Sequence, residues 1–82
     1  MVVKYPLLSE KAVNLVEKEN KLIFIVDKSA TKEQIKKTVE ELYNVEVEKV
    51  NTSINSKGQK RAFVKFKKDK AAIDLATKLN II

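Results

Sequence analysis

The residues of this chain best suited to chemistry are the cations of one short stretch. Between Lys57 and Lys70 lie seven basic residues and a single acid, Asp69. Like charges packed this closely repel one another unless an anion neutralises them. Because Lys57, Lys60 and Arg61 flank a predicted turn, they can neutralise several phosphates at once. The stretch therefore predicts a site for a polyanion, with nucleic acid as the first candidate. The alternative is that these cations only protect a hairpin edge from aggregation.

A second group of cations stands at the predicted start of a helix. Lys32 and Lys36 are four residues apart on one helix face, where they repel each other without an anion. Lys28 lies just before them, and the free amide groups of a helix start add to an anion site. The alternative is a solvated helix face, on which glutamates four residues away ease the repulsion.

Two aromatic residues have two interpretations each. Phe63 is predicted to point outward between Arg61 and Lys65, an arrangement in which a base stacks while phosphates are held alongside. It can equally pack beneath a helix, since helices on both faces of a sheet are compatible with the pattern. Tyr5 leaves the same choice open.

Catalysis is not expected. The chain contains neither cysteine nor histidine, so thiolate and imidazole chemistry and disulfides are excluded. The carboxylates Asp27, Glu33, Glu40 and Glu41 form no convincing acid and base pair. Without a glycine-rich phosphate loop or a metal-ligand spacing, we expect no enzyme activity, no cofactor and no metal.

Length and composition favour one small folded domain. The chain has 82 residues, a net charge of +6 and 44% hydrophobic residues, which is typical of a basic globular module with a single core. Its first residues carry no apolar signal core, and the longest apolar run, residues 22–26, is far below the about 20 residues that span a bilayer. We expect a cytoplasmic protein without membrane insertion.

The first half of the chain predicts a strand, a helix and a second strand. They cover residues 2–5, 10 to about 18, and 21–26. Pro6 should end the first strand, and Ser9 should cap the helix, with Leu8 and Val13 as a hydrophobic staple. Because residues 22–26 are apolar without interruption, the second strand should be central in a sheet and buried on both faces, ending at Asp27.

The second half predicts a helix, a hairpin and a last helix. Thr31 and Gln34 form a capping box for the helix, whose apolar stripe comprises Ile35, Val39, Leu42 and Tyr43. In the β-rich residues 45–54 the apolar positions change parity, which predicts a bulge near Glu48 and Lys49.

A turn at residues 55–59, with Gly58 available for positive φ, should lead into a strand at residues 60–66. The alternation there points Ala62, Val64 and Phe66 inward. Asp69 should cap the last helix, whose inner stripe comprises Ala72, Leu75, Ala76 and Leu79. The predicted fold class is α+β, a small antiparallel sheet with helices packed on it, in the order β-α-β-α-β-β-α.

Acidic residues gather elsewhere. Glu40, Glu41, Glu46 and Glu48 surround the end of the second helix, away in sequence from the basic hairpin. This predicts a polarised domain. It also leaves open a protein-interaction module whose acidic side binds a basic partner while the hairpin is only solvated.

Several motifs in order resemble the large ribosomal subunit protein L23 family, in its short archaeal-like form. They are residues 5–12 (YPLLSEKA), 27–32 (DKSATK), 35–36 (IK), Leu42, 45–47 (VEV), 50–52 (VNT) and 57–64 (KGQKRAFV). Together they span nearly the whole chain.

The resemblance implies a small α/β domain bound directly to large-subunit ribosomal RNA beside the polypeptide exit tunnel. It implies no catalysis, neighbouring ribosomal proteins as partners, and a monomer within the ribosome. The Ser9, Glu10 and Lys11 motif would belong to a rim on which the signal recognition particle and the protein-conducting channel dock. The long hairpin with which bacterial members reach into the tunnel is absent, so that role is not carried over.

On this resemblance and on side-chain character, we expect fourteen residues to contact RNA. Lysines and the arginine would hold phosphates, while Asn51 and Thr52 would hydrogen-bond to sugar or base edges. The full set is Lys4, Tyr5, Lys11, Lys28, Thr31, Lys32, Lys36, Asn51, Thr52, Lys57, Gly58, Lys60, Arg61 and Lys65.

An RNA-recognition motif is the other RNA-binding interpretation. Residues 62–66 match the tail of its aromatic strand signature. However, Gln59, Lys60 and Arg61 stand where that signature needs a cation, a glycine and an aromatic, and the order of elements differs.

Overall fold

The computed structural model describes residues 2–7 and 9–79, and its elements follow the predicted order. They are β1 (Val3–Pro6), α1 (Glu10–Glu19), β2 (Lys21–Val26), α2 (Lys32–Tyr43), β3 (Val47–Ile54), β4 (Lys60–Phe66) and α3 (Ala71–Lys78). Within the described residues the four strands form one antiparallel sheet in the order β1-β2-β4-β3. The α+β prediction is thereby confirmed.

Strand β2 is central and buried on both faces, as its apolar run predicts. Phe24 is fully buried in the main core, together with Val64 of the neighbouring strand β4. Ile23 and Ile25 have the opposite parity and are each only 3% exposed. Burying one such side chain stabilises the fold by roughly 1.5 to 3 kcal/mol.

The predicted cap of the first helix is confirmed. Ser9 Oγ accepts a hydrogen bond from the Ala12 amide at 3.1 Å, so Ser9 caps α1. The partner proposed for the hydrophobic staple, Leu8, lies outside the described residues. Pro6 was expected to follow the strand but is the last residue of β1. An edge strand tolerates proline because the N–H that proline lacks is not needed on the open side of the sheet.

Helix α2 begins with the predicted capping box, since Thr31 and Gln34 exchange hydrogen bonds of 3.0 and 3.1 Å. Ile35 and Val39 are fully buried, and the Tyr43 ring stacks on Phe24 with a centroid distance of 5.9 Å.

The prediction that Leu42 belongs to the same stripe is wrong, because Leu42 is 59% exposed. The buried row of α2 advances by four residues each time, from Ile35 through Val39 to Tyr43. Leu42 lies about 100° from Tyr43 around the helix axis and therefore faces solvent.

The predicted bulge in β3 is confirmed. Val47 pairs with Phe66 and Lys49 with Lys65, so one residue is inserted between the two pairs. The insertion lets Val47 and Val50 both face the core despite their different parity. Strand β3 begins at Val47, two residues later than predicted.

The predicted cap of α3 by Asp69 is wrong. The helix begins at Ala71, and Lys70 occupies the cap position with φ of +62° and no side-chain cap bond. The missing acceptor comes from Asn20, whose Oδ1 accepts a hydrogen bond from the Ala72 amide at 2.9 Å. This partner is 52 residues away in sequence, which is why a search for a local cap does not find it.

Asn20, between α1 and β2, also makes hydrogen bonds to the end of β4 and the residues that follow it. Its Nδ2 donates to the carbonyl oxygens of Phe66 and Lys68 at 3.0 and 2.8 Å. Asn20 itself adopts the left-handed conformation, with φ of 56°, at the end of α1. One side chain therefore joins α1, β4 and α3.

None of the helices among the described residues has the length and apolar character needed to cross a membrane.

Candidate nucleic-acid interface

The β3–β4 turn, residues 55–59, is shaped by its first residue. Asn55 Oδ1 accepts hydrogen bonds from the amides of Lys57 and Gln59, both at 2.9 Å. Gly58 donates its amide to the Asn55 carbonyl at 3.0 Å and adopts φ of +80°, as its type predicts. The turn thus has a fixed shape, with the Lys57 side chain exposed at its tip.

A cation from another segment lies across this turn. A Cβ atom placed on Gly58 would lie 3.3 Å from Lys28 Nζ and 3.7 Å from its Cε. The Lys28 ammonium therefore lies beside the Gly58 backbone. This contact brings two of the predicted RNA-binding segments, the hairpin and the loop before α2, to one surface.

Lys60, in strand β4, connects the hairpin to the loop before α2. Its Nζ donates to the Ala30 carbonyl at 2.7 Å and lies 3.4 Å from the Lys28 carbonyl. Lys60 is partly buried, unlike the exposed Lys57. Its charge holds the loop to the hairpin, whereas sequence reasoning placed it among the phosphate contacts.

The loop of residues 27–31 is ordered by Asp27. The amide of Ser29, and then its hydroxyl, donate to Asp27 Oδ1 at 3.0 and 2.9 Å and lower the pKa of this carboxyl, with a smaller contribution from the charge of Lys4. A lowered pKa means that the stabilisation is present above the ordinary carboxyl pKa and is lost as the pH falls through the lowered value.

Tyr5 completes this surface from strand β1. Tyr5 is 49% exposed, and its hydroxyl accepts a hydrogen bond from Gln59 Nε2 at 3.3 Å. Neither Asn55 nor Gln59 was among the predicted site residues. An asparagine opening a glycine-containing turn is a signal that could have identified Asn55; Gln59 carries no such signal.

We call the surface built around this turn the hairpin end. Nine of the fourteen residues predicted to contact RNA lie at this end of the sheet, with Lys60 and Arg61 on opposite faces of β4: Lys4, Tyr5, Lys28, Thr31, Lys32, Lys57, Gly58, Lys60 and Arg61.

The other five predicted RNA contacts lie elsewhere. Lys36 is one helical turn further along α2 than Lys32, and both line a shallow groove between α2 and β3. Asn51 and Thr52 lie in edge strand β3, and Lys65 is near the opposite end of β4, where it pairs with Glu48 at 3.6 Å. Lys11 is exposed in α1.

Phe63 lies on the sheet face opposite the main core, paired with Ile23 and Asn51. It is half-buried and is not part of that core. Phe63 therefore packs partly against its neighbours in the sheet and leaves part of its side chain accessible, so both interpretations of this residue stay open.

The predicted docking motif lies at the start of α1. Strand β1 runs away from the hairpin end, and the Leu7 amide donates to the Ile23 carbonyl at 2.8 Å before α1 begins. Ser9 is occupied as the helix cap, while Glu10 and Lys11 are exposed in the first turn of α1.

The predicted separation of charge is only partly correct. Lys65 pairs with Glu48, and the Lys67 amide donates to the Glu46 carbonyl at 3.1 Å. Strand β4 carries its later cations to the acidic side because it runs the length of the sheet. That side is consequently of mixed charge, and the net positive character concentrates at the hairpin end.

Comparison with known proteins agrees with the motifs. The family model described as Ribosomal protein L23 matches residues 1–82. The chain is 52% identical over 81 residues to the large ribosomal subunit protein uL23 of Pyrobaculum aerophilum, covering 99% of this chain and 100% of that protein. Proteins of the same name from Methanococcus vannielii and Methanococcus aeolicus are each 48% identical over 80 residues, covering 98% of this chain and 93% of theirs. A match over every residue replaces the RNA-recognition-motif interpretation, and the chain belongs to the ribosomal protein L23 family.

Proposed function

We propose that this chain is a constituent of the large ribosomal subunit, held on large-subunit ribosomal RNA by its hairpin end. As a member of the ribosomal protein L23 family it is a structural ribosomal protein and not an enzyme. The observation that carries the RNA-binding proposal is the placement of Lys28 over Gly58, beside the exposed Lys57. Two cations from distant segments thereby share one surface with no acidic partner in the described residues.

The binding mechanism is electrostatic and depends on a fixed shape. Lys28 and Lys57 would each neutralise phosphates and release counterions. The start of α2, with Lys32 in its first turn, adds backbone amides directed at an anion. Because the turn and the loop are already held by their own hydrogen bonds, little conformational freedom is lost on binding.

The site within the ribosome follows from the motif resemblance. The chain would lie in the cytoplasmic ribosome near the polypeptide exit tunnel, in contact with neighbouring ribosomal proteins. The separate surface at Ser9, Glu10 and Lys11 would receive the signal recognition particle and the protein-conducting channel. The exposure of Glu10 and Lys11, away from the hairpin end, supports this division of surfaces.

The salt dependence of RNA binding tests the proposal. Lys28→Ala and Lys57→Ala should each weaken binding to transcribed archaeal large-subunit ribosomal RNA. Each should also reduce the slope of log affinity against log salt by about 0.7 to 0.9, since each removes a phosphate contact. Lys37→Ala, at an exposed lysine of α2 outside the hairpin end, is the matched control and should leave the slope unchanged. Native slopes in both hairpin variants would contradict the proposal.

Docking has its own test. Glu10→Ala should reduce recruitment of the signal recognition particle to otherwise intact ribosomes, measured by cosedimentation. Glu17→Ala, an exposed glutamate of the same helix, is the control. Normal recruitment by the Glu10 variant would refute the docking role while leaving RNA binding intact.

A further inference from the structure

A row of paired residues crosses the sheet within the hairpin end. Tyr5 pairs with Ile25, and Ile25 pairs with Arg61 on its other side. Paired residues share a face, so Tyr5 and Arg61 flank Ile25, with about 10 Å between their backbones at about 5 Å per strand. Ile25 is only 3% exposed, whereas Tyr5 is 49% exposed.

The Tyr5 ring has the properties of a stacking platform. Its hydroxyl is held by Gln59, which limits rotation of the side chain, and about half of its surface remains open to solvent. Lys4 precedes it in the chain, and Gln59 joins it to the turn over which Lys28 lies. An exposed aromatic among cations is the arrangement that binds unpaired bases in RNA.

Arg61 supplies an independent observation. Its Nε is buried and has no hydrogen-bond partner within residues 2–7 and 9–79. No hydrogen bond or ion pair among those residues uses any other nitrogen of this guanidinium. Buried donors are nearly always paired in folded proteins, and none of the described residues supplies an acceptor for this one. A guanidinium matches the oxygens of a phosphate, to which it can donate two bonds.

We propose that an unpaired nucleotide of the ribosomal RNA binds across this row, with its base stacked on Tyr5 and its phosphate bonded by Arg61. This inference rests on the proposed function and adds the kind of RNA that the surface takes. A base within a duplex has both faces covered by its neighbours, so only an unpaired base at a loop, bulge or junction can stack on a side chain.

Tyrosine fluorescence reports the stack directly, because the chain has two tyrosines and no tryptophan. Tyr43 is half-buried against Phe24, and a Tyr43→Phe variant leaves Tyr5 as the only emitter. Titration of this variant with transcribed archaeal large-subunit ribosomal RNA should quench the Tyr5 emission. The quenching should saturate together with binding measured by filter retention.

Substitutions at Tyr5 separate stacking from charge. Tyr5→Leu keeps an apolar side chain but removes the aromatic ring, and should weaken binding by about 5- to 150-fold. Its salt slope should stay native because no charge is lost. Tyr5→Phe, which retains the ring, should bind within a few-fold of the native chain. Arg61→Gln should lower the slope, as expected for a lost phosphate contact.

The outcomes distinguish this inference from the function on which it rests. If the native chain binds the RNA but Tyr5→Leu binds equally well and Tyr5 emission is unchanged, the stacking site is overturned and RNA binding stands. If Tyr5→Leu and Tyr5→Phe lose the same affinity, the ring is not the contact and the inference is again wrong. If the native chain does not bind the RNA at all, both proposals fail.

Discussion

At the scale of single residues, chemical type does not decide role. Lys57 and Lys60 stand three positions apart in the same hairpin, but only Lys57 is exposed at its tip. Lys60 has its ammonium 2.7 Å from the Ala30 carbonyl, so it acts as a positioning residue for the loop before α2. The two lysines should therefore respond differently to the same substitution.

Lys60→Met should loosen residues 27–31 without removing a phosphate contact. We expect faster amide hydrogen exchange at Ala30, weaker RNA binding, and a native salt slope. Lys57→Met should leave amide hydrogen exchange at Ala30 unchanged and should reduce the salt slope of RNA binding. A slope reduced equally by both variants would show that Lys60 contacts phosphate after all.

Asn20 is the residue whose side chain makes the most long-range bonds in the described part of the fold. Asn20→Gly keeps the left-handed backbone but deletes these bonds, and should lower the free energy of unfolding by about 1 to 3 kcal/mol in urea titrations. Asn44→Gly is the matched control, because Asn44 also caps a helix in the left-handed conformation. The Asn44 side chain makes no hydrogen bond within the part of the chain that the structure describes. Equal stability of the two variants would contradict the role given to Asn20.

At the scale of elements, patterns contained within one segment were predictive. The Ser9 cap, the Thr31 and Gln34 box, and the alternation of β4 depend on neighbours a few residues away. The change of parity in β3 likewise revealed its bulge. These features can be predicted from the sequence because the interacting residues lie in the same segment at a fixed spacing.

Features that depend on distant partners were not predictable. The cap of α3 is supplied by Asn20, and the exposure of Leu42 follows from which row of α2 residues the core covers. The candidate site divides in the same way. Charge and turn chemistry identified Lys28 and Lys57, but only the fold shows that they meet and that Lys60 is internally bonded.

The two sides of α2 can be compared by truncation. Ile35→Ala should lower the free energy of unfolding by about 2 to 5 kcal/mol, because Ile35 is fully buried and leaves a cavity. Leu42→Ala should change it by no more than about 0.5 kcal/mol, since Leu42 is exposed. A large decrease in the free energy of unfolding for Leu42→Ala would show that Leu42 belongs to the buried stripe of α2, as the sequence predicts.

At the scale of the whole molecule, the sheet organises two surfaces. The hairpin end gathers cations from β1, the loop before α2 and the β3–β4 turn, while the exposed Glu10 and Lys11 belong to the start of α1. Burial of β2 on both faces gives these surfaces a rigid support. A domain built in this way can hold RNA with one surface and leave the other for proteins.

The most direct measurement of the central claim is the reactivity of individual lysines in assembled large subunits. Acetylation with a small reagent, read by mass spectrometry, would compare each lysine in the free protein, in intact subunits, and after ribonuclease digestion. The account predicts that Lys28 and Lys57 are protected in the subunit and regain reactivity when the RNA is digested. Equal labelling of both lysines in the free protein and in the intact subunit would contradict it.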